Sequence, residues 1–186
     1  MLRNWNFQAS DAGEDPTTEF WSAVGDGGSI ELDSKNGLNE ANTNSLRLDV
    51  ADSTTGRVGV SNEGWWGLRV QPGEKYQASF FAKSTGYTGT LNVTLETSDG
   101  TVLASASTSE SLSDEFQKFE VSLESTASDV SIDNLFVVSI DSTEAAGSSI
   151  YFQVFSLFGE TFEGRENGLR KDLAESMQGL NPSFFR

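Results

Sequence analysis

Two adjacent tryptophans, Trp65 and Trp66, are the residues of this sequence best suited to ligand chemistry. In an extended strand, neighbouring side chains point to opposite faces. Trp66 shares parity with Leu68 and Val70, so we expect it in the core. Trp65 shares parity with Arg69, so we expect it to face outward. An outward indole beside a guanidinium suits a sugar ring, whose C–H face stacks on the indole while its hydroxyls form hydrogen bonds.

The next predicted strand, YQASFFAKS, repeats this arrangement. Tyr76 and Phe80 share one face, whereas Gln77, Phe81 and Lys83 share the other. Phe81 is therefore a second outward aromatic ring. The alternative is that these rings are covered by a loop or by a neighbouring domain. The candidate carbohydrate-binding residues are Asn62, Glu63, Trp65, Arg69, Gln77 and Phe81.

Other kinds of chemistry are restricted by what the chain lacks. It has no cysteine and no histidine, which excludes thiolate nucleophiles, Ser-His-Asp triads and imidazole metal sites. A glycosidase would need two carboxyl groups about 5 to 9.5 Å apart. The sequence has 28 Asp and Glu residues, but nothing marks a particular pair. A sandwich glycosidase or lyase therefore stays only as an alternative, and no catalytic residue is predicted.

Size and charge limit the partners. The chain has 186 residues, of which 36% are hydrophobic, and a formal net charge of −16. This length suits one domain with a real core, and the acidity argues against a nucleic acid or an anionic membrane as partner. No apolar run approaches the roughly 18 residues of a membrane span. The opening MLRNWNFQAS does not have the pattern of a signal peptide.

The elements that must position these residues are short strands. SLRLDV, TLNVTLET and KFEVSLES alternate apolar and polar residues, and SIYFQVFSLF, apolar on both faces, is expected to be central. Nine or ten strands with regular turns predict an all-β fold, a two-sheet antiparallel β-sandwich of jelly-roll type. Residues 10–28 and 33–44 are expected to be long loops, where binding residues often lie.

The chain changes character near residue 160. Residues 1–160 hold eight basic and 24 acidic residues, whereas 161–186 hold four of each. The second part contains NGLRKDLAESMQGL, which predicts a helix with Asn167 as N-cap, Gly179 near its end and Pro182 beyond. We therefore predict a sandwich over 1–160 and a separate segment over 161–186. The predicted helix has an apolar stripe formed by Leu169, Leu173, Met177 and Leu180.

One modification site is suggested by the sequon Asn92-Val93-Thr94. The alternation that buries Val93 leaves Asn92 and Thr94 exposed. A glycan on Asn92 would imply secretion from a eukaryotic cell.

Two blocks, NEGWWG…PGEKY and NGLRKDLAE, carry a resemblance that extends over nearly the whole chain. They resemble fungal α-L-arabinofuranosidases of glycoside hydrolase family 51. In that family a sandwich similar to carbohydrate-binding-module families 4 and 9 precedes a catalytic (β/α)₈ barrel. The resemblance implies that residues 161–186 are the start of the barrel. It also implies that the two catalytic glutamates lie downstream, so the chain itself is not an enzyme.

The resemblance further implies a secreted domain that binds arabinose- or xylose-containing polysaccharide and has the catalytic barrel as its other partner. The alternative is a structural domain packed on the barrel without sugar affinity. Families 4 and 9 often hold a structural calcium with an acidic residue after the N-terminal Asn…Phe pattern and another in the last strand. Here Gln8 and Gln153 occupy those places, which would weaken cation binding. Calcium is therefore left open.

Overall fold

The computed structural model describes residues 2–8, 15–53, 55–165 and 168–180. Within them the chain forms two antiparallel sheets, a short 3₁₀ helix and one α-helix. The strands are β1 Trp21–Val24, β2 Gly28–Asp33, β3 Ser45–Val50, β4 Arg57–Asn62, β5 Leu68–Val70, β6 Lys75–Thr85, β7 Asn92–Thr97, β8 Val102–Ser107, β9 Gln117–Glu124, β10 Ser131–Asp141 and β11 Ser149–Phe158. The 3₁₀ helix is Phe162–Gly164 and α1 is Lys171–Gly179.

The strands divide between the sheets without following chain order. Sheet A has the order β1-β4-β10-β7-β8, with β5 also paired to β10, and sheet B has the order β2-β3-β11-β6-β9. All strand pairs are antiparallel. The predicted two-sheet antiparallel sandwich is therefore confirmed, and β11 is central in sheet B as expected.

Alternating residues on each strand build the core between the sheets. In β3, Leu46, Leu48 and Val50 are buried, whereas Arg47 and Asp49 face outward. Burying one such aliphatic side chain contributes about 1.5 to 3 kcal/mol. The alternation predicted for SLRLDV is thus what fixes which face of β3 points inward.

Aromatic rings fill the centre of the core around Phe155. Its ring centroid lies 4.3 Å from that of Trp21 and 5.4 Å from that of Phe80. Phe7 also contacts Trp21, with ring centroids 5.6 Å apart, and is fully buried. The N-terminal segment is therefore part of the sandwich core.

Two expectations need correction. Residues 10–28 were expected to be a loop, but β1 lies within them and pairs with β4 through Trp21 opposite Asn62. Trp21 is buried, so burial of an indole on a short edge strand outweighs the polar composition around it. The second long loop, between β2 and β3, is confirmed. The expected strand WWGLRV is reduced to Leu68–Val70.

The predicted C-terminal helix is present as α1, although its predicted N-cap Asn167 and the following Pro182 lie outside the described residues. Ala174 is its only buried residue, and the described part of the chain contains no helix long and apolar enough to cross a bilayer. The apolar stripe faces solvent, with Leu169, Leu173, Met177 and Leu180 all more than 40% exposed.

Candidate functional site

The structure separates the predicted sugar-binding residues into two surfaces. Glu63, Trp65 and Arg69 lie on β5 and the turn before it, and β5 pairs with β10 in sheet A. Gln77 and Phe81 lie on β6, which pairs with β9 and β11 in sheet B. The two groups therefore do not form one site.

The tryptophan turn, residues 63–67, presents both indoles to solvent. Trp65 is 52% and Trp66 91% exposed, and their ring centroids are 6.3 Å apart. The outward position of Trp65 is confirmed, but the expected burial of Trp66 is wrong. Gly64 and Gly67 have φ values of 70° and 81°, so the chain turns here and the alternation of a strand does not apply.

Arg3 covers part of this turn. Its guanidinium carbon lies 3.1 Å from the ring centroid of Phe20 and 4.7 Å from that of Trp65. This cation–π arrangement holds Trp65 against the sandwich. Trp66 is consequently the more accessible ring of the pair.

Asn62 has a structural position rather than a surface one. It is 1% exposed, and its Nδ2 donates to the carbonyl oxygens of Arg3 at 3.0 Å and Phe20 at 3.2 Å. Its Oδ1 accepts from the backbone N–H of Gly64 at 2.9 Å. Because the amide already bonds three segments of the chain and has no access to solvent, we correct the expectation and leave Asn62 out of the candidate site.

The remaining predicted polar residues are on the surface. Glu63 is exposed. Arg69 is also exposed, and its Nη2 donates to Gln71 Oε1 at 2.9 Å. On sheet B, Gln77 Nε2 donates to Ser122 Oγ at 3.0 Å. Each of these side chains therefore offers hydrogen-bonding atoms to a surface ligand, on whichever of the two surfaces it lies.

The outer face of sheet B carries an aromatic and cationic cluster that sequence reasoning recovered only in part. Half-buried Phe81 lies on this face, as predicted. Further along β6, Lys83 Nζ is 5.1 Å from the ring centroid of Phe116 and 5.3 Å from that of Tyr151. It also donates to Asn36 Oδ1 at 2.9 Å. Two strands and two loops thus converge on one cation.

One of the missed residues, Tyr151, had a signal in the sequence. Tyr151 alternates with the buried Ile150 and Phe152 in β11, so its parity alone places it on the outer face. The apolar character of SIYFQVFSLF on both faces obscured that signal. Nothing in the sequence brings Asn36, from the loop after β2, or Phe116, from the loop before β9, to the same surface.

Asp33 fixes the loop that holds Lys83. Burial by itself raises the pKa of this carboxyl, but N–H donors of Lys35 and Asn36 and the charge of Arg47 outweigh it, so the pKa lies below its usual value. Asp33 Oδ1 accepts from the backbone N–H groups of Lys35 at 2.8 Å and Asn36 at 2.7 Å. The ionised Asp33 thereby positions Asn36, which in turn accepts a hydrogen bond from Lys83.

The outer face of sheet A is organised differently. Arg57 Nη2 lies 2.5 Å from Glu96 Oε1, and its Nε donates to Ser139 Oγ at 3.0 Å. The hydroxyl of Thr94 donates to the same oxygen of Glu96. Glu96 is only 4% exposed. These groups satisfy one another and leave little hydrogen-bonding capacity for a ligand.

The places where acidic residues were expected for calcium are held by an amide cluster, formed by Gln8, Asn44 and Gln153. Gln153 is fully buried, and its Nε2 and that of Gln8 both donate to the backbone carbonyl oxygen of Asn44. Asn44 Nδ2 donates back to Gln8 Oε1 at 3.0 Å. Among the described residues, no three His, Cys, Asp or Glu side chains are grouped to hold a metal ion.

Comparison with known sequences identifies the type of domain. A family model described as a carbohydrate binding domain matches residues 1–144. α-L-Arabinofuranosidase A of Aspergillus kawachii is 40% identical over 189 residues, covering all of this chain and 29% of the relative. α-L-Arabinofuranosidase 1 of Arabidopsis thaliana is 34% identical over 195 residues, covering all of this chain and 27% of the relative. The chain thus spans less than a third of these relatives.

Among solved structures, the chain is similar to an arabinofuranosidase and to a carbohydrate-binding module. An arabinose-bound MgGH51 α-L-arabinofuranosidase is 35% identical with a TM-score of 0.87, covering all of this chain and 30% of the other. A CBM4 structure is 17% identical with a TM-score of 0.55, covering 76% of this chain and 96% of the other. The second likeness shows the fold alone, whereas the first extends through α1.

Proposed function

The chain belongs to the family of carbohydrate-binding domains, and from this premise we propose that it binds plant cell-wall hemicellulose on the outer face of sheet B. The proposed ligands are arabinoxylan, xylan and arabinan, which suit the arabinofuranosidases to which the chain is similar. Binding would combine aromatic stacking with hydrogen bonds to sugar hydroxyls. The chain would act as a binding module and not itself as the hydrolase.

One observation carries this proposal: Phe81 and Tyr151 are half-buried aromatic rings on the outer face of sheet B, beside the polar side chains of Lys83 and Gln77. Half-burial holds a ring in place while leaving area for a sugar to cover, which keeps the entropic cost of binding low. Lys83 and Gln77 on the same face supply N–H donors. The described outward side chains on the strands of sheet A include no aromatic ring, and the exposed pair Trp65 and Trp66 lies in the turn before β5.

In a longer polypeptide, such as the relatives of which this chain spans about 29%, the domain would hold a catalytic barrel near its substrate. Linking a binding module to a second domain raises the effective concentration of ligand for that domain. We also propose that the protein is secreted and glycosylated at Asn92, whose side chain is exposed on the outer face of sheet A.

The test is a calorimetric titration of the 186-residue chain with xylo- and arabino-oligosaccharides. We expect Phe81→Ala and Tyr151→Ala each to weaken binding about tenfold, equivalent to about 1.4 kcal/mol. Trp66→Ala is the matched control, because it removes an even more exposed ring from the other surface. If Trp66→Ala or Trp65→Ala abolishes binding while Phe81→Ala does not, the tryptophan turn is the site instead.

A second candidate function is favoured by α1. Its exposed stripe of Leu169, Leu173, Met177 and Leu180 is the kind of surface that another domain covers. On this alternative the sandwich is a structural support of a catalytic barrel in a longer polypeptide. The isolated chain would then bind no sugar and would self-associate, and Leu173→Glu would restore a monomer in sedimentation measurements.

A further inference from the structure

A cavity of about 680 Å³ lies at one end of the outer face of sheet B. Its floor is formed by the last part of β11 and the first part of β6, including Ser156, Phe158, Gln77 and Ser79. One side is formed by β9. This volume falls in the range of small-ligand pockets, and of the residues assigned above to the proposed binding face only Gln77 lines it.

The far side of the cavity is a wall lined by residues 159–161, 163–165 and 171, all of which follow β11. Thr161 and Arg170 form an isolated β-bridge, and the backbone N–H of Phe162 donates to the carbonyl oxygen of Leu169 at 2.8 Å. Lys171 Nζ lies 3.2 Å from Glu160 Oε2. These bonds close the segment on itself, so it stands as a formed barrier at this end of the face.

We infer that this cavity receives the end of a glycan chain, rather than an internal stretch of a long chain. The inference rests on the proposed function and specifies its ligand. From Lys83 to Gln77, β6 runs about 20 Å along the outer face before it reaches the wall. A chain lying along that line meets the wall at the cavity, where an internal segment would have to continue through it.

The polar groups of the cavity suit a terminal sugar. A terminal residue carries a hydroxyl where an internal residue carries a glycosidic bond to the next sugar. On one side of the cavity, Lys118 Nζ lies 2.5 Å from Glu120 Oε1. In the wall, Arg165 Nη2 lies 2.8 Å from Glu163 Oε2. Each pair places a donor and an acceptor side by side, and vicinal hydroxyls at a chain end can bond to both.

Calorimetric stoichiometry distinguishes the two binding modes. Unbranched xylan and arabinan oligosaccharides of increasing length are titrated against the 186-residue chain. End recognition gives one protein per glycan chain at every length. Recognition of internal segments gives a number of proteins that rises with length, and that result would overturn the inference while leaving the proposed function intact. Lack of binding to every glycan would overturn both.

A substitution locates the binding in the cavity. Ser79→Phe places a ring on its floor, and we expect at least a tenfold loss of affinity for oligosaccharides. Ser105→Phe adds the same ring at an exposed position of β8 in sheet A and serves as the matched control. Melting curves of both variants check that they are folded. Unchanged affinity in folded Ser79→Phe would refute a role for the cavity.

Discussion

The outer faces of the two sheets differ in how deeply their polar side chains are buried. On sheet A, Arg57, Glu96 and Ser139 bond to one another, and Glu96 is almost completely buried. On sheet B, Phe81 and Tyr151 are half-buried beside polar groups that reach solvent. Both faces arise from the same alternation of residues along antiparallel strands. Polar groups are paired on both faces, so what separates the faces is burial: Glu96 is hidden on sheet A, whereas Glu120 on sheet B has a 67% exposed side chain.

The largest effect on stability is expected at the ion pair between Arg57 and Glu96 on sheet A. Glu96→Ala removes the partner of Arg57 and the acceptor of the Thr94 hydroxyl, and should lower the free energy of unfolding by about 2 kcal/mol. The loss is limited because the Arg57 side chain is 38% exposed and can be hydrated. Urea unfolding measures the change, and glycan affinity should not move.

The matched control is Glu120→Ala on sheet B, since this carboxylate also pairs with a cation but its side chain is 67% exposed. Its removal should change stability by less than about 0.5 kcal/mol. If Glu96→Ala instead removed glycan binding in a folded protein, the glycan would bind on the outer face of sheet A and not on that of sheet B.

A smaller effect is expected at Asp33, which links stability to the sheet B cluster. Asp33→Asn removes a charged acceptor of two backbone N–H groups and should cost about 1 to 2 kcal/mol near neutral pH. It should also weaken glycan binding a few-fold, because Asn36 would no longer hold Lys83 in place. Unfolding and titration are measured on the same variant, with Asp49→Asn, another carboxylate bonded to Arg47, as control.

The pH dependence has a definite sign. The pKa of Asp33 is lower in the folded chain than in the unfolded chain, so its stabilisation is fully present above about pH 4 and is lost as the pH falls through the folded value. Asp33→Asn should therefore lose less stability than the parent chain on acidification below about pH 4. Equal acid losses in both proteins would show that other carboxyl groups account for the dependence.

A still smaller effect is expected from modification of sheet A. Expression through a eukaryotic secretory pathway should add a glycan to Asn92, seen as a mass increase that Asn92→Gln abolishes. The glycan would lie on the face opposite the proposed binding site, so it should change stability by less than about 0.5 kcal/mol and leave oligosaccharide affinity unaltered. A loss of affinity on glycosylation would contradict the assignment of the two faces.

The smallest effect is expected from removing metal ions. At the amide cluster the Asn44 carbonyl oxygen already accepts from Gln8 and Gln153, and the amide side chains bring no negative charge to attract calcium. A chelator should therefore leave the melting temperature unchanged. A clear drop that added calcium reverses would place a cation elsewhere in the protein.

The sequence predicted the sandwich well because alternation is a local property. Leu46 and Leu48 in β3, like Val121 and Leu123 in β9, are buried as their spacing required. The prediction failed at Trp66, where glycines with positive φ on either side replace the strand by a turn. Strand periodicity carries no information about where a strand begins.

The candidate site was harder to predict, because it depends on which sheet each strand joins. Arg69 and Gln77 are close in sequence, but β5 joins sheet A and β6 joins sheet B. Parity shows that Phe81 faces outward without showing what lies beside it. The contacts of Lys83 with Phe116 and Tyr151 arise from long-range packing, which no local pattern encodes.

The central position of β11 has a consequence for the synthesis of the protein. Sheet B cannot close before the ribosome has released this last strand, because β11 lies between β3 and β6. Roughly 100 residues separate the end of β3 from the start of β11, which takes about 5 to 20 s to translate. During that interval the edge of β3 that will pair with β11 has no partner, so chaperones would have their main opportunity to act on the nascent chain then.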